Sequence, residues 1–182
     1  MEKLFFIAII PPDELAGQIT AIKQDFADRF QSRRALRVVP HITLKAPFKI
    51  AEVKRKGLID WFQRLSLGID SFNLILTGFG AFPNPKNPVV FVKPETSKNL
   101  NMLQHKLIDK FSNLLPRDVS TTDMHFHPHM TVAYRDLTPE NFEKSWAEYH
   151  SKYFSETFPV NGFHLLEHDG AKWGIIATNR LQ

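Results

Sequence analysis

A five-residue pattern occurs twice in this chain, as Pro-His-Ile-Thr-Leu at positions 40–44 and as Pro-His-Met-Thr-Val at 128–132. The copies lie 88 positions apart in a chain of 182, close to half its length. Matching Pro, His, Thr and aliphatic residues at that separation point to two related half-domains. Strand side chains alternate between faces, so His41 with Thr43, and His129 with Thr131, each project from one face with Cα atoms roughly 6.5 Å apart. Ile42 and Leu44, or Met130 and Val132, then fall on the opposite face, where they can anchor the strand in a core. Half-domains related by a pseudo-two-fold axis would bring the two polar faces together across one cleft.

The flanking sequence supports an α+β chain with antiparallel pairings. Leu4 to Ile10 reads as a strand buried on both faces, followed by a helix over 11–31 with apolar residues at Leu15, Ile19, Ile22, Phe26 and Phe30. A strand at 36–48, a helix at 53–65, strands at 72–82 and 88–94, and a helix at 97–115 follow. A strand at 127–135, a helix at 139–150 and two closing strands at 158–168 and 172–179, joined by a turn at Asp169 and Gly170, complete seven strands and four helices. No long linker interrupts them, so residues 1–182 are expected to form a single bilobal domain.

Composition narrows the function classes. There is no cysteine, which removes thiolate zinc sites, disulfide scaffolds and cysteine nucleophiles. The net charge of +4 permits a polyanionic partner without requiring one. The apolar opening run is short and ends at Pro11 and Pro12, which fits a first strand better than a leader, and no other apolar run approaches a membrane span. A cytoplasmic protein with no membrane partner is expected.

Paired imidazoles and hydroxyls suit displacement at a phosphodiester. One imidazole can activate the nucleophile while the other protonates the leaving oxygen, and threonine hydroxyls can hydrogen-bond the non-bridging oxygens. A competing reading comes from the run His-Phe-His-Pro-His at 125–129, which on a continuous strand would place His125, His127 and His129 on one face as metal ligands. The first copy has Arg37 and Val39 at the positions of His125 and His127, and Pro128 disturbs the alternation. The duplication therefore favours His129 alone, and neither a metal nor another cofactor is expected. No phosphate-binding G-x-x-x-x-G-K-[ST] loop or K-x-D-G motif is present, so ATP-driven ligation lacks its machinery.

The motifs His41-Ile-Thr-Leu and His129-Met-Thr-Val, the opening Lys3-Leu-Phe-Phe-Ile-Ala-Ile-Ile-Pro-Pro-Asp-Glu-Leu and the stretch Gly78-Phe-Gly-Ala-Phe-Pro-Asn-Pro-Lys-Asn-Pro-Val-Val-Phe-Val resemble the two-histidine phosphoesterases. The likeness is strongest to bacterial proteins called 2′-5′ RNA ligase or RNA 2′,3′-cyclic phosphodiesterase. It implies two pseudo-symmetric antiparallel sheets with outer helices around a central cleft. It also implies activity on 2′,3′-cyclic phosphate or 2′-5′ linked nucleotides, and with the paired imidazoles the favoured expectation is metal-independent hydrolysis of 2′,3′-cyclic phosphodiesters on nucleotides or RNA ends. The family's catalytic histidines fall on His41, the acid, and His129, the base, and its phosphate-binding threonines on Thr43 and Thr131. The chain departs from the family where Pro88 and Phe91 replace an arginine and a tryptophan, and where Tyr134 precedes Arg135 in place of an arginine. A 2′-5′ oligonucleotide, another cyclic nucleotide, or silent RNA binding are the alternatives.

Four further residues are candidate substrate contacts. Lys45 and Arg135 follow the threonines at even spacing, and Phe5 and Phe91 could stack on a base, as could Phe6 or Phe48. Phe5 and Phe6 point to opposite faces, so at most one of them lines the cleft. A monomer is expected.

Overall fold

A computed structural model describes residues 1–182 as two four-stranded antiparallel sheets with helices. The strands are β1 (Glu2–Ile9), β2 (Ile42–Ala51), β3 (Phe72–Phe82), β4 (Val89–Pro94), β5 (Met130–Ala133), β6 (Ser155–Val160), β7 (Gly162–His168) and β8 (Trp173–Arg180). The helices are α1 (Asp13–Phe30), α2 (Arg55–Arg64), α3 (Lys98–Leu114), α4 (Thr121–Met124) and α5 (Pro139–Tyr149). One sheet has the order β2-β1-β7-β8 and the other β5-β4-β3-β6, so each motif strand forms an edge of its sheet. No helix is long and apolar enough to cross a membrane.

The helices cross between the halves. The helix that follows β1, α1, packs on β5 and α5, whereas α3, which follows β4, packs on β2. One cluster of 36 buried hydrophobic residues consequently draws on both sheets, and the two lobes share a core. Strand β1 lies between that core and the cleft. Phe5, Ile7 and Ile9 enter the large core, while Phe6 and Ala8 join Leu166 in a small cluster that Val38 and Trp173 cover.

The repeat extends to a backbone irregularity. Along β1 and β2, Ala8 opposes Thr43 and Ile7 opposes Lys45, so Leu44 is an extra residue. Along β4 and β5, Phe91 opposes Thr131 and Val90 opposes Ala133, so Val132 is the extra residue. Both halves thus carry a β-bulge directly after the threonine, where it re-aims the next side chain.

That bulge corrects the expectation for Lys45. Even spacing from Thr43 would put it in the cleft, but the bulge turns it into the core, where it is fully buried. Its Nζ lies 2.9 Å from Asp123 Oδ2 and donates to Ala46 O at 2.7 Å, with the Phe48 and Phe111 rings alongside. Phe5 is corrected as well: it is buried against Phe48 in the core, and Phe6 takes the cleft side.

Other boundaries shift for local reasons. The strand expected at 36–48 begins only at Ile42, because Arg34–Arg37 form a 3-10 turn and Pro40 has no N–H to donate to a ladder. The strand expected at 127–135 is the four-residue β5. The run 158–168 is two strands in different sheets: β6 pairs with β3 and β7 with β1 and β8. Gly162 permits that change of sheet, since a Cβ there would lie 2.5 Å from Asn179 O. The stretch 121–124, unassigned from sequence, forms α4, which Ser120 and Asp123 close at its N-terminus in a reciprocal capping box.

Asp123 accepts hydrogen bonds from Ser120 N, Ser120 Oγ and Ala46 N in addition to the Lys45 contact. Lys45→Met leaves this buried carboxylate without its cation. The expected result is a loss of about 3–5 kcal/mol in unfolding free energy, the usual cost of breaking a buried pair from one side, measured by urea denaturation.

Candidate functional site

The two motif strands meet across a cleft of about 520 Å³ whose walls include His41, Thr43, His129 and Thr131. Each histidine stands one residue before its strand, and each is held by the carbonyl two residues earlier. His41 Nδ1 lies 2.8 Å from Val39 O, and His129 Nδ1 lies 2.7 Å from His127 O. A carbonyl can only accept, which assigns the proton to Nδ1 and leaves Nε2 as the free ring nitrogen in both residues.

Aromatic side chains back each imidazole. The Phe6 ring is 4.9 Å from His41, and the Phe82 and Phe91 rings are 5.1 and 5.5 Å from His129. Phe91 is buried, so it supports His129 and offers no open face for stacking. Gly80 makes room for it, because a Cβ there would lie 2.4 Å from the Phe91 ring. On the opposite wall Trp173 packs edge-on against Phe6 and beside His168.

Arg135 reaches the cleft by a different route from the one its spacing suggested. β5 ends at Ala133, and Arg135 adopts a left-handed conformation with φ of 62°, its guanidinium over Tyr134. Beside the cleft a pocket of about 250 Å³ brings Arg135 together with Arg34 and Arg37. Asp136 fixes that arrangement by accepting from Ser32 Oγ, Arg33 N and Arg34 N. The sequence reading missed Phe6 as the definite cleft residue of its pair, and it missed Trp173, Arg34 and Arg37.

It also missed Lys23, buried on the apolar face of α1 with Nζ donating to Val38 O at 2.9 Å. Its spacing of four from Ile19 and three from Phe26 was the available signal.

The three-histidine strand does not form. Residues 125–129 lie outside any strand, His125 Nδ1 is 3.1 Å from Thr121 O at the end of α4, and His127 contributes its carbonyl to His129. No three His, Asp or Glu side chains converge on a common point.

Burial dominates the titration of the pair. It lowers the pKa of His41 to about 4, against the opposing bond to Val39 O, and the charges of Lys23 and His129 add to the lowering. Burial also lowers the pKa of His129, where the bond to His127 O opposes it and the His127 ring adds a smaller lowering. Both imidazoles are therefore neutral in the unliganded protein near pH 7.

The family model described as the 2′-5′ RNA ligase superfamily matches residues 11–172. The chain belongs to this superfamily. It is 30% identical over 162 residues to a "Putative phosphoesterase" of Geobacillus sp. strain WCH70, covering 85% of this chain and 87% of that protein. Another putative phosphoesterase, from Bacillus licheniformis, is 27% identical over 158 residues, covering 86% and 88%. Among solved structures, E. coli LigT complexed with 3′-AMP superposes with a TM-score of 0.72 at 19% identity, covering 100% of this chain and 99% of that one. TT0787 of Thermus thermophilus gives 0.67 at 21% identity, covering 98% and 97%. The chain shares the fold of these two structures.

The low pKa of His41 has a thermodynamic consequence. The unfolded chain binds a proton near pH 6.5 that the folded chain takes up only near pH 4, so this contribution to stability is complete above the unfolded value. It is lost as pH falls through 6.5 toward 4. Histidine NMR titration of the unliganded protein is expected to show His41 neutral at pH 5.5. The decline in unfolding free energy between pH 7 and 4 is expected to be shallower in His41→Gln.

Proposed function

We propose that the protein is a phosphoesterase that opens 2′,3′-cyclic phosphodiesters on nucleotides or RNA ends by paired histidine catalysis. The observation that carries this reading is the convergence of both His-x-Thr pairs on one cleft with both Nδ1 atoms committed to backbone carbonyls. Membership of the superfamily and the 3′-AMP held by LigT support a nucleotide substrate. The Arg34, Arg37 and Arg135 rim suits an anionic one.

In the proposed reaction His129 Nε2 takes a proton from water as its oxygen bonds to phosphorus. The bond from phosphorus to one ribose oxygen breaks, and that oxygen receives the proton carried on His41 Nε2. Thr43 and Thr131 hydrogen-bond the non-bridging oxygens as their charge grows. The acid and base are both supplied by side chains, so the reaction is metal-independent in this scheme. His41 is a poor proton carrier in the empty cleft, and the negative charge of the bound phosphodiester raises its pKa and supplies the protonated form.

The test is incubation with the four nucleoside 2′,3′-cyclic phosphates, a 2′-5′-linked dinucleotide and an RNA ending in a cyclic phosphate, with the product phosphate located. Release of a 2′- or 3′-monoester from the cyclic substrates is expected, while cleavage of the 2′-5′ dinucleotide alone would replace this reading by its rival. His41→Ala and His129→Ala are each expected to lower turnover about 100-fold or more, and Thr43→Ala and Thr131→Ala to weaken it. His125→Ala and His127→Ala should retain most activity, and excess EDTA should leave turnover unchanged.

The pH profile carries a separate expectation. Both kcat/KM and kcat should be bell-shaped, with limbs that belong to the pair. The former reports the free protein and the latter the complex, so the charge of the bound substrate should move the kcat optimum to higher pH than the kcat/KM optimum. Steady-state kinetics from pH 4 to 9 measures both.

A further inference from the structure

The two motifs are alike in sequence, in bulge and in the carbonyl that holds each imidazole. They differ in what stands behind that carbonyl. Lys23 Nζ donates to Val38 O, and the next carbonyl along the chain, Val39 O, accepts from His41 Nδ1. Residues 38–40 lie between the 3-10 turn and β2 and belong to no sheet ladder, so this ammonium is a direct tether on the segment that orients the ring.

The second half has no cation in this role: the α3 side chain that bonds the segment before His129 is the neutral Gln104, donating to Asp123 O. Aligning Leu15 and Phe26 of α1 with Leu100 and Phe111 of α3, each pair 85 positions apart, sets Ile108 opposite Lys23. Helical spacing asks for an aliphatic residue at both positions, and only the second half has one. The lysine is 1% exposed, and burial lowers its pKa to about 8 with no carboxylate to offset it. The remaining charged side chains around the adjoining cavity are Asp13 from α1, Arg37 from the 3-10 turn and Lys172 from the β7–β8 turn.

We propose that Lys23 is a positioning residue for His41, fixing the Val38–Val39 backbone that holds the imidazole and giving the first motif a cationic neighbour that the second lacks. Lys23 touches no reacting atom in this role. Its ammonium adds to burial in disfavouring a positive charge on His41 while the site is empty, and an anion entering the cleft opposes both. The two histidines are thereby made unequal before substrate arrives. The catalytic part of this inference rests on the proposed phosphodiesterase reading, whereas the effect on His41 in the unliganded protein does not.

The test is Lys23→Met, which fills the same part of the helix face without the charge or the donor; Lys23→Leu, an aliphatic side chain like that of Ile108, serves if methionine does not fold. Histidine NMR titration of the unliganded variant is expected to raise the pKa of His41 above about 4 by the share Lys23 contributes, with burial still holding it below the ordinary imidazole value, and to leave His129 in place. With 2′,3′-cyclic AMP as substrate, kcat is expected to fall about tenfold, within the range that misplacement of a catalytic group produces, with KM little changed. Lys23→Arg, which keeps a cation and a donor, is expected to hold the His41 pKa low. A folded Lys23→Met or Lys23→Leu protein in which His41 titrates as in the wild type overturns the proposal, as does an equal shift of His41 and His129. If the wild type leaves every cyclic phosphate intact, the phosphodiesterase reading fails while the NMR result still decides the role of Lys23.

Discussion

The buried contact between Lys45 and Asp123 joins the two halves of the site. Lys45 sits two residues past Thr43 on β2, and Asp123 sits six residues before His129, so the contact ties the strand of the first motif to the segment that delivers the second. Gln104 strengthens the tie from α3, donating to Asp123 O at 2.9 Å. A buried ion pair is a weak source of net stability, because desolvation offsets most of the attraction. What it supplies is register: four donors converge on one carboxylate, and the chain from Ser120 to His129 has few other arrangements that satisfy it. Asp136 acts in the opposite direction. It lies just past β5 and accepts from Ser32, Arg33 and Arg34, on the segment that leads to His41. Each histidine is thus delivered by a segment latched to the other motif's side of the cleft.

This cross-latching explains how short strands present a precise site. β5 is only four residues long, and an edge strand of that length would be weakly held by its ladder alone. The bulges after Thr43 and Thr131 add a second constraint, since each leaves the His and Thr facing the cleft while the residue two places past the threonine, Lys45 or Ala133, turns inward. The carbonyls of Val39 and His127 then fix ring orientation and tautomer. Little of the geometry is left for a substrate to organise, which is the condition under which positioned groups accelerate a reaction most.

The duplicated motif made the convergence of His41, Thr43, His129 and Thr131 on one cleft readable from sequence because it carried two independent signals, an alternating pattern and a repeat. The errors fell where a single local feature overrode alternation. Lys45 was misread because a bulge, invisible in composition, inverted the parity after Thr43. Between Phe5 and Phe6 the pattern had no means to choose, since β1 is buried on both sides and both faces are apolar. The run 158–168 read as one strand because nothing in its hydrophobicity marks the change of sheet; only the crowding of Gly162 against Asn179 does. Lys23 and the arginine rim were missed for another reason. Their positions depend on which elements meet in space, and α1 packs on the half it does not begin.

An internally repeated site poses a problem that its own motifs cannot solve. The proposed reaction needs one imidazole to accept a proton and the other to donate one, whereas two copies of the same motif offer two equivalent groups. The inequality has to come from outside the repeat. Here it has visible sources: a buried ammonium on Val38 O, one residue before the carbonyl that holds His41, two phenylalanine rings against His129 where His41 has one, and an arginine rim at the mouth. Each lies in sequence that the two halves do not share. The repeat builds a symmetric pair of groups, and the divergent surroundings make them unequal, as the proposed reaction requires.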